Sequence, residues 1–338
     1  MKKTLFTIAA ITCLSATTAN AAEQIRIVGS STVFPFSSYV AEEFGATTKF
    51  KTPVIESTGS GGGMKLFCAG NDENTPDVSN ASRRIKKTEF ALCAKNGVND
   101  IHEVVFGFDG IAIAQSAGNK AINLSRKDLL LAVAQQVPNK EGTALIDNPY
   151  KFWDEVNATL PHRPILFYGP PTSSGTRDAF EELVMQKLTK KMPLYKAVTK
   201  KYSVIRQDGL YVPSGENDNL IVQKLTKDTN SFGIFGYSFL EENEGDISGA
   251  TIDGISPTPD TISSGEYPVS RSLFFYVKGS HLKTVPSLND YVNLFLNEKM
   301  IGEEGFLSEI GLIPLPTQQR ELIRNTWKKG TTLTADQL

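Results

Sequence analysis

The chain has 338 residues and a formal net charge of −2, from 35 basic and 37 acidic side chains, and 40% of it is hydrophobic. That length has room for about two domains of ordinary size, and the hydrophobic content suits a soluble globular protein with full cores. The near-balanced charge argues against nucleic acid, which needs a basic field, so any anion must be held by local dipoles and hydrogen bonds.

Residues 1–21 read as a secretory signal. Lys2 and Lys3 form the positive end, residues 5–14 the apolar centre, and Ala19-Asn20-Ala21 a small-x-small cleavage site. The apolar centre is too short to span a bilayer, and no later stretch is long and apolar enough to cross one. Cys13 leaves with the signal. An even pair, Cys68 and Cys93, remains and predicts one disulfide in an exported chain, with two buried thiols as the alternative. His102, His162 and His281 are scattered without ligand spacing, so neither a metal nor another cofactor is expected.

In chain order, residues 24–28 read as a first strand. Gly29-Ser30-Ser31-Thr32 leads from it into a helical pattern through Val40 and Phe44. A strand at 53–56 runs into Ser57-Thr58-Gly59-Ser60-Gly61-Gly62-Gly63 and a helix start at 64–67. Residues 77–84 repeat the arrangement before a helix with Phe90 and Leu92 inward. The apolar run at 102–115, interrupted by Gly107 and Gly110, is long for one strand and predicts a crossing between domains. Ser125 caps a helix through Val133, and a short helix and turn with Trp153 follow.

The run at 165–168 then leads through Pro170-Pro171 to Thr172-Ser173-Ser174-Gly175-Thr176-Arg177-Asp178 and a helix over 179–190. Residues 202–205 read as a strand, 219–226 as a helix and 232–237 as a buried strand. A second long apolar run at 267–278 is the candidate return crossing, and helices at 287–297 and 318–327 finish the chain. Strands alternating with helices through short loops predict parallel α/β sheets, with binding loops gathered at the carboxyl ends of the strands.

The hydroxyl-rich loops carry the chemistry. A helix start leaves backbone N–H groups unpartnered at the positive end of the dipole, Ser and Thr add donors, and Gly admits a ligand to the backbone. One such loop is an ordinary helix cap; several together point to a multi-oxygen anion. Gly59 to Lys65 looks like a phosphate-binding P-loop, but Met64 and Leu66 stand where that motif needs Gly and Ser or Thr, so a nucleotide is rejected. No G-x-S-x-G elbow surrounds Ser60, Ser173 or Ser174, which leaves a hydrolase weakly supported.

The motifs Gly29-Ser30-Ser31-Thr32-Val33-Phe34-Pro35, Ser57 to Gly63, Asn80-Ala81-Ser82-Arg83 and Ser173-Ser174-Gly175-Thr176-Arg177, in this order, resemble exported phosphate-binding proteins of ABC uptake systems, the PstS type. The resemblance covers nearly all of the mature chain. It implies an α/β, two-lobed periplasmic-binding-protein fold (Venus-flytrap, type II), each lobe a mainly parallel sheet flanked by helices, with two crossing hinge strands. Lobe one would be 22–108 with 270–338, and lobe two the inserted 109–269. Phosphate would be held by Ser31, Thr32 and the Val33 N–H, by Ser60, and by Ser174, the Gly175 N–H and Thr176. A monomer without enzymatic activity would hand it from the periplasm to an inner-membrane ABC permease.

The chain departs from one branch of that family. Arg83 stands about where that branch has an Asp, and Pro170-Pro171 where it has an Arg. The expected charged donors are therefore Arg83 and Arg177. Asp109 is the candidate acceptor for the proton of hydrogen phosphate, with a structural turn Asp as its alternative. Another tetrahedral oxyanion such as sulfate, a secreted phosphatase on a related scaffold, and a sensory or adhesive role are the remaining readings.

Overall fold

A computed structural model describes residues 24–172, 174–199, 201–214 and 219–338 of the chain. The signal expected at 1–21 and Ser173 lie outside the described residues.

Ten strands form the main sheet: β1 Arg26–Gly29, β2 Val54–Ser57, β3 Val78–Ala81, β4 Ile101–Ser116, β5 Phe167–Gly169, β6 Tyr211–Pro213, β7 Phe232–Gly236, β8 Ile247–Gly249, β9 Ser270–Lys278 and β10 Ile313–Pro314. Their spatial order is β2-β1-β3-β9-β4-β7-β5-β6, with β8 and β10 also paired to β4. The two ends are parallel, β2-β1-β3 on one side and β7-β5-β6 on the other. The middle pairs are antiparallel. The expected alternation of strands and helices therefore holds at each end, and the two long apolar runs form the centre.

β4 changes partner along its length. Residues 101–110 pair with β9, and Ile111 to Ala114 pair with β7. It changes core at the same place. Val104 and Phe106 pack with Phe275 and Phe295 in one hydrophobic cluster, whereas Ile111 and Ile113 join Trp153, Phe167 and Phe232 in another. Edge-to-face ring pairs close both clusters, Phe106 against Phe295 at 4.9 Å and Trp153 against Phe232 at 5.2 Å. Burying one such aromatic contributes about 1.5–3 kcal/mol. The molecule has two lobes, and β4 belongs to the cores of both.

Three helices follow the first three strands: α1 Phe34–Thr47, α2 Gly59–Phe67 and α3 Lys87–Lys95. The glycine run that opens α2 lets it lie against β1; a Cβ on Gly63 would stand 2.5 Å from the Gly29 Cα. Cys68, just past α2, and Cys93 of α3 form the expected disulfide. It closes a separation of 25 residues, a constraint worth about 3 kcal/mol.

Two local expectations differ. The helix expected over 179–190 begins earlier, as α4 Gly175–Phe180, and continues through a π-helical segment Glu181–Gln186 to Lys187–Thr189. Residues 202–205 form no strand; only Ile205 makes a bridge, to Ala134. The segment is held by backbone bonds from the Gln135 N–H to the Val204 carbonyl and from the Arg206 N–H to the Val133 carbonyl, each 2.9 Å, and by the Tyr202 hydroxyl, which accepts the Gln136 N–H at 3.0 Å.

Candidate functional site

The loop between β1 and α1 meets the start of α4. Ser174 is the N-cap of α4; its Oγ accepts from the Thr176 N–H at 3.2 Å, the local bond that Ser favours at a helix start. The Thr32 hydroxyl donates to the Gly175 carbonyl at 3.1 Å, across 143 residues of chain. Ser31 Oγ donates to Asp178 Oδ2 at 2.5 Å. Gly175 is required for this approach, since a Cβ there would stand 2.6 Å from the Thr32 Cα and 2.7 Å from its N. Both obstructing atoms are backbone and cannot rotate away.

Below this contact lies a charged pair from the two crossing strands. Asp109 of β4 and Arg271 of β9 are register partners. Arg271 Nε donates to Asp109 Oδ2 at 3.3 Å, and Nη1 to Glu182 Oε2 at 3.3 Å. Its Nη2 donates to the Thr32 hydroxyl and, at 3.4 Å, to the Gly175 carbonyl. The Arg271 side chain is 6% exposed and that of Asp109 13%. Burial pushes the Asp109 carboxyl above its ordinary pKa, and the Arg271 guanidinium opposes this by charge and by hydrogen bond.

Ser31, Thr32, Asp109, Ser174, Gly175 and Thr176 line one cavity of about 480 Å³, with Phe34, Phe239 and Ile310 at its apolar side. A second cavity of about 340 Å³ adjoins it at Ser31, which lines both. Ser60, Ser82, Arg83 and Arg271 face this second space. Ser60 Oγ accepts from the Ser82 N–H at 3.1 Å, and the two hydroxyl oxygens lie 3.2 Å apart. Arg83 is bound to Glu89 through both terminal nitrogens, at 2.9 and 2.7 Å.

The structure thus brings together Ser31, Thr32, Asp109, Ser174, Gly175 and Thr176, and sets Ser60 and Arg83 in the adjoining space. Val33 is buried, and its N–H points back to Ser30 Oγ at 3.4 Å, a long contact. Arg177 is not brought to either cavity. It is buried in the second lobe, where Nε donates to Glu181 Oε1 at 2.7 Å and Nη1 to the Pro170 carbonyl at 3.3 Å. Its guanidinium lies 4.8 Å from the Tyr211 ring centroid. The expectation that Arg177 serves the anion pocket is corrected on these contacts: α4 turns that face inward, and a partner four residues on neutralises the charge. The residue missed from sequence is Arg271, which supplies the guanidinium between the two loops.

Chemically the first cavity offers hydroxyl hydrogens and one carboxylate, and the Arg271 guanidinium reaches Thr32 and Gly175 on its wall from the adjoining space, a set suited to an oxyanion that carries a proton. Among the described residues, no group of three or more His, Cys, Asp and Glu side chains is placed to hold a metal ion, and no helix is long and apolar enough to cross a membrane.

A family profile described as the PBP superfamily domain matches residues 14–299. The chain belongs to the PBP superfamily. Among its relatives in that superfamily, Protein SphX of Synechococcus elongatus is 30% identical over 297 residues, covering 86% of this chain and 77% of the relative. The Phosphate-binding protein PstS of Staphylococcus saprophyticus is 29% identical, covering 87% of this chain and 81% of the relative. A crystal structure described as a possible phosphate binding protein from Planctomyces limnophilus superposes with a TM-score of 0.74 at 30% identity, covering 91% of this chain and 99% of that one. The PstS-type resemblance, the two-lobed fold and the expectation of a binding protein rather than an enzyme are borne out by these likenesses.

Proposed function

We propose that this superfamily member is an exported receptor that captures inorganic phosphate in the cleft between its lobes and delivers it, as a monomer, from the periplasm to an inner-membrane ABC permease. One observation carries the reading: two hydroxyl loops from opposite lobes converge on a buried arginine–aspartate pair, with Thr32 and Gly175 both within reach of Arg271. The proposed ligand set is Ser31, Thr32, the Val33 N–H, Ser174, the Gly175 N–H, Thr176 and Arg271, with Asp109 accepting the phosphate proton. Ser60 and Arg83 approach the ion from the adjoining chamber. Each charge-assisted bond contributes about 1.5–3 kcal/mol net, so a shell of this size offsets dehydration of the ion.

The proposed lobes are 22–108 with 270–338, and 109–269. An ion that bridges both favours the closed form by its differential affinity for that state, and closure is the signal the permease reads. Names of relatives that specify phosphate support the choice of ion. The reading is tested by calorimetric titration with phosphate and then with sulfate. Binding of phosphate with sulfate excluded is expected; binding of sulfate alone would replace phosphate with the other oxyanion.

A further inference from the structure

The second cavity holds two cations without partners. Lys86 stands immediately before α3 in one lobe, and Lys201 follows the helix Pro193–Val198 in the other. Both line the cavity of about 340 Å³, along with Ser60 and Ser82. The other charges on its wall are engaged. Arg83 is bound to Glu89, Arg271 to Asp109 and Glu182, Glu181 to Arg177, and Asp178 accepts from Ser31. Among the described residues, neither the Lys86 nor the Lys201 ammonium forms an ion pair or hydrogen bond; only their backbone N–H groups do. Burial and then Arg83 push the Lys86 ammonium below its ordinary pKa; Glu89 opposes them, Lys201 across the cleft adds to the lowering, and Glu182 opposes it. An anionic group between the two lysines relieves their repulsion.

Space agrees with charge. The two cavities of about 480 and 340 Å³ meet at Ser31. A water molecule's share of liquid volume is about 30 Å³, so a five-atom ion fills only a small part of such a space. We propose that the Ser60–Lys86–Lys201 chamber takes the second phosphoryl group of a diphosphate whose first phosphoryl lies among Thr32, Ser174, Thr176 and Arg271. The inference rests on the phosphate reading above and widens it to condensed phosphates, with Ser60 and Ser82 donating to the outer phosphoryl oxygens.

The test is calorimetry of the mature protein with inorganic pyrophosphate and, separately, orthophosphate, in the wild type and in a Lys86→Met/Lys201→Met double variant. Pyrophosphate is expected to bind and to be displaced by orthophosphate. The double variant should lose about tenfold or more in pyrophosphate affinity, while orthophosphate affinity moves by less than about threefold. A Lys86→Arg/Lys201→Arg variant should keep pyrophosphate binding. Orthophosphate binding without pyrophosphate binding overturns this inference alone, as does an equal loss of both ligands in the double variant. Failure of the wild type to bind either ligand overturns it together with the reading beneath it.

Discussion

Asp109 and Arg271 face each other at matched register on neighbouring strands, and the same guanidinium that meets the Asp109 carboxylate reaches on to Thr32 and to the Gly175 carbonyl. The pair sits beside the point where β4 exchanges β9 for β7, so it joins the sheet centre to loops of both lobes. Under the proposed function, that position ties the ion's charge to the strands that connect the lobes.

Replacing Arg271 with Met leaves the Asp109 carboxylate buried without its counter-charge. Loss of one partner of a buried pair costs about 3–5 kcal/mol of stability. Phosphate affinity should fall by about a hundredfold, since charge-assisted donors are lost from the site. The Arg271→Met/Asp109→Asn double variant should recover part of the stability and none of the affinity. Chemical denaturation and calorimetry on the four proteins of that cycle measure both effects.

Asp109→Asn tests selectivity and pH dependence together. An ionised Asp109 accepts a phosphate proton and repels sulfate, which has none to offer; the amide does neither. Phosphate preference over sulfate should shrink by about a hundredfold or more in the variant. Burial raises the Asp109 pKa, so on acidification the acceptor is lost at a higher pH than an ordinary carboxylate would be. Wild-type affinity should therefore fall on the acid side from above the usual carboxylate range of about 4, and this limb should be missing in Asp109→Asn. Titrations at a series of pH values, with both ions, check the sign.

Gly175→Ala places a methyl group 2.6 Å from the Thr32 Cα and leaves the core of each lobe untouched. The expected result is a protein that folds normally but closes poorly. Its melting temperature should move by only a few degrees, whereas phosphate affinity falls by well over about tenfold. Small-angle scattering with saturating phosphate should show a larger radius of gyration than for wild type.

Lys278 gives a stability prediction away from the site. It is fully buried, with Nζ donating to the Gly70 carbonyl at 2.6 Å and to Thr75 Oγ1 at 2.7 Å. Burial lowers its pKa to about 8, from an ordinary 10.5. Between these values the unfolded chain holds the proton and the folded chain has released it, so unfolding takes up a proton and stability rises with pH across that window. Relative to Lys278→Met, wild type should gain up to about 3 kcal/mol from pH 8 to pH 10.5. Denaturation of both proteins across that range measures the gain.

Much of this was legible in the chain because local chemistry decided it. The hydroxyl loops announced the first three strand–helix units, and the long runs at 102–115 and 267–278 announced the crossings, whereas α4 starts at Gly175, four residues before the expected 179. Arg271 was not legible. It lies between Ser270 and Ser272 at the end of an apolar run, and only strand register, a long-range property, sets it opposite Asp109. Arg177 misled for the opposite reason. Its neighbours resemble a binding loop, but Glu181 one turn on was a visible local partner that takes its charge inward. The division of the serines between two chambers likewise depends on how the lobes meet, which no short stretch of sequence encodes.

The most direct test of the central claim is a crystal structure of the mature protein with phosphate bound. The account predicts a single ion within hydrogen-bonding distance of Thr32 from one lobe and Thr176 from the other, with Arg271 against its oxygens and Asp109 facing its proton. An ion held by one lobe only, or lodged away from the Arg271–Asp109 pair, would contradict it.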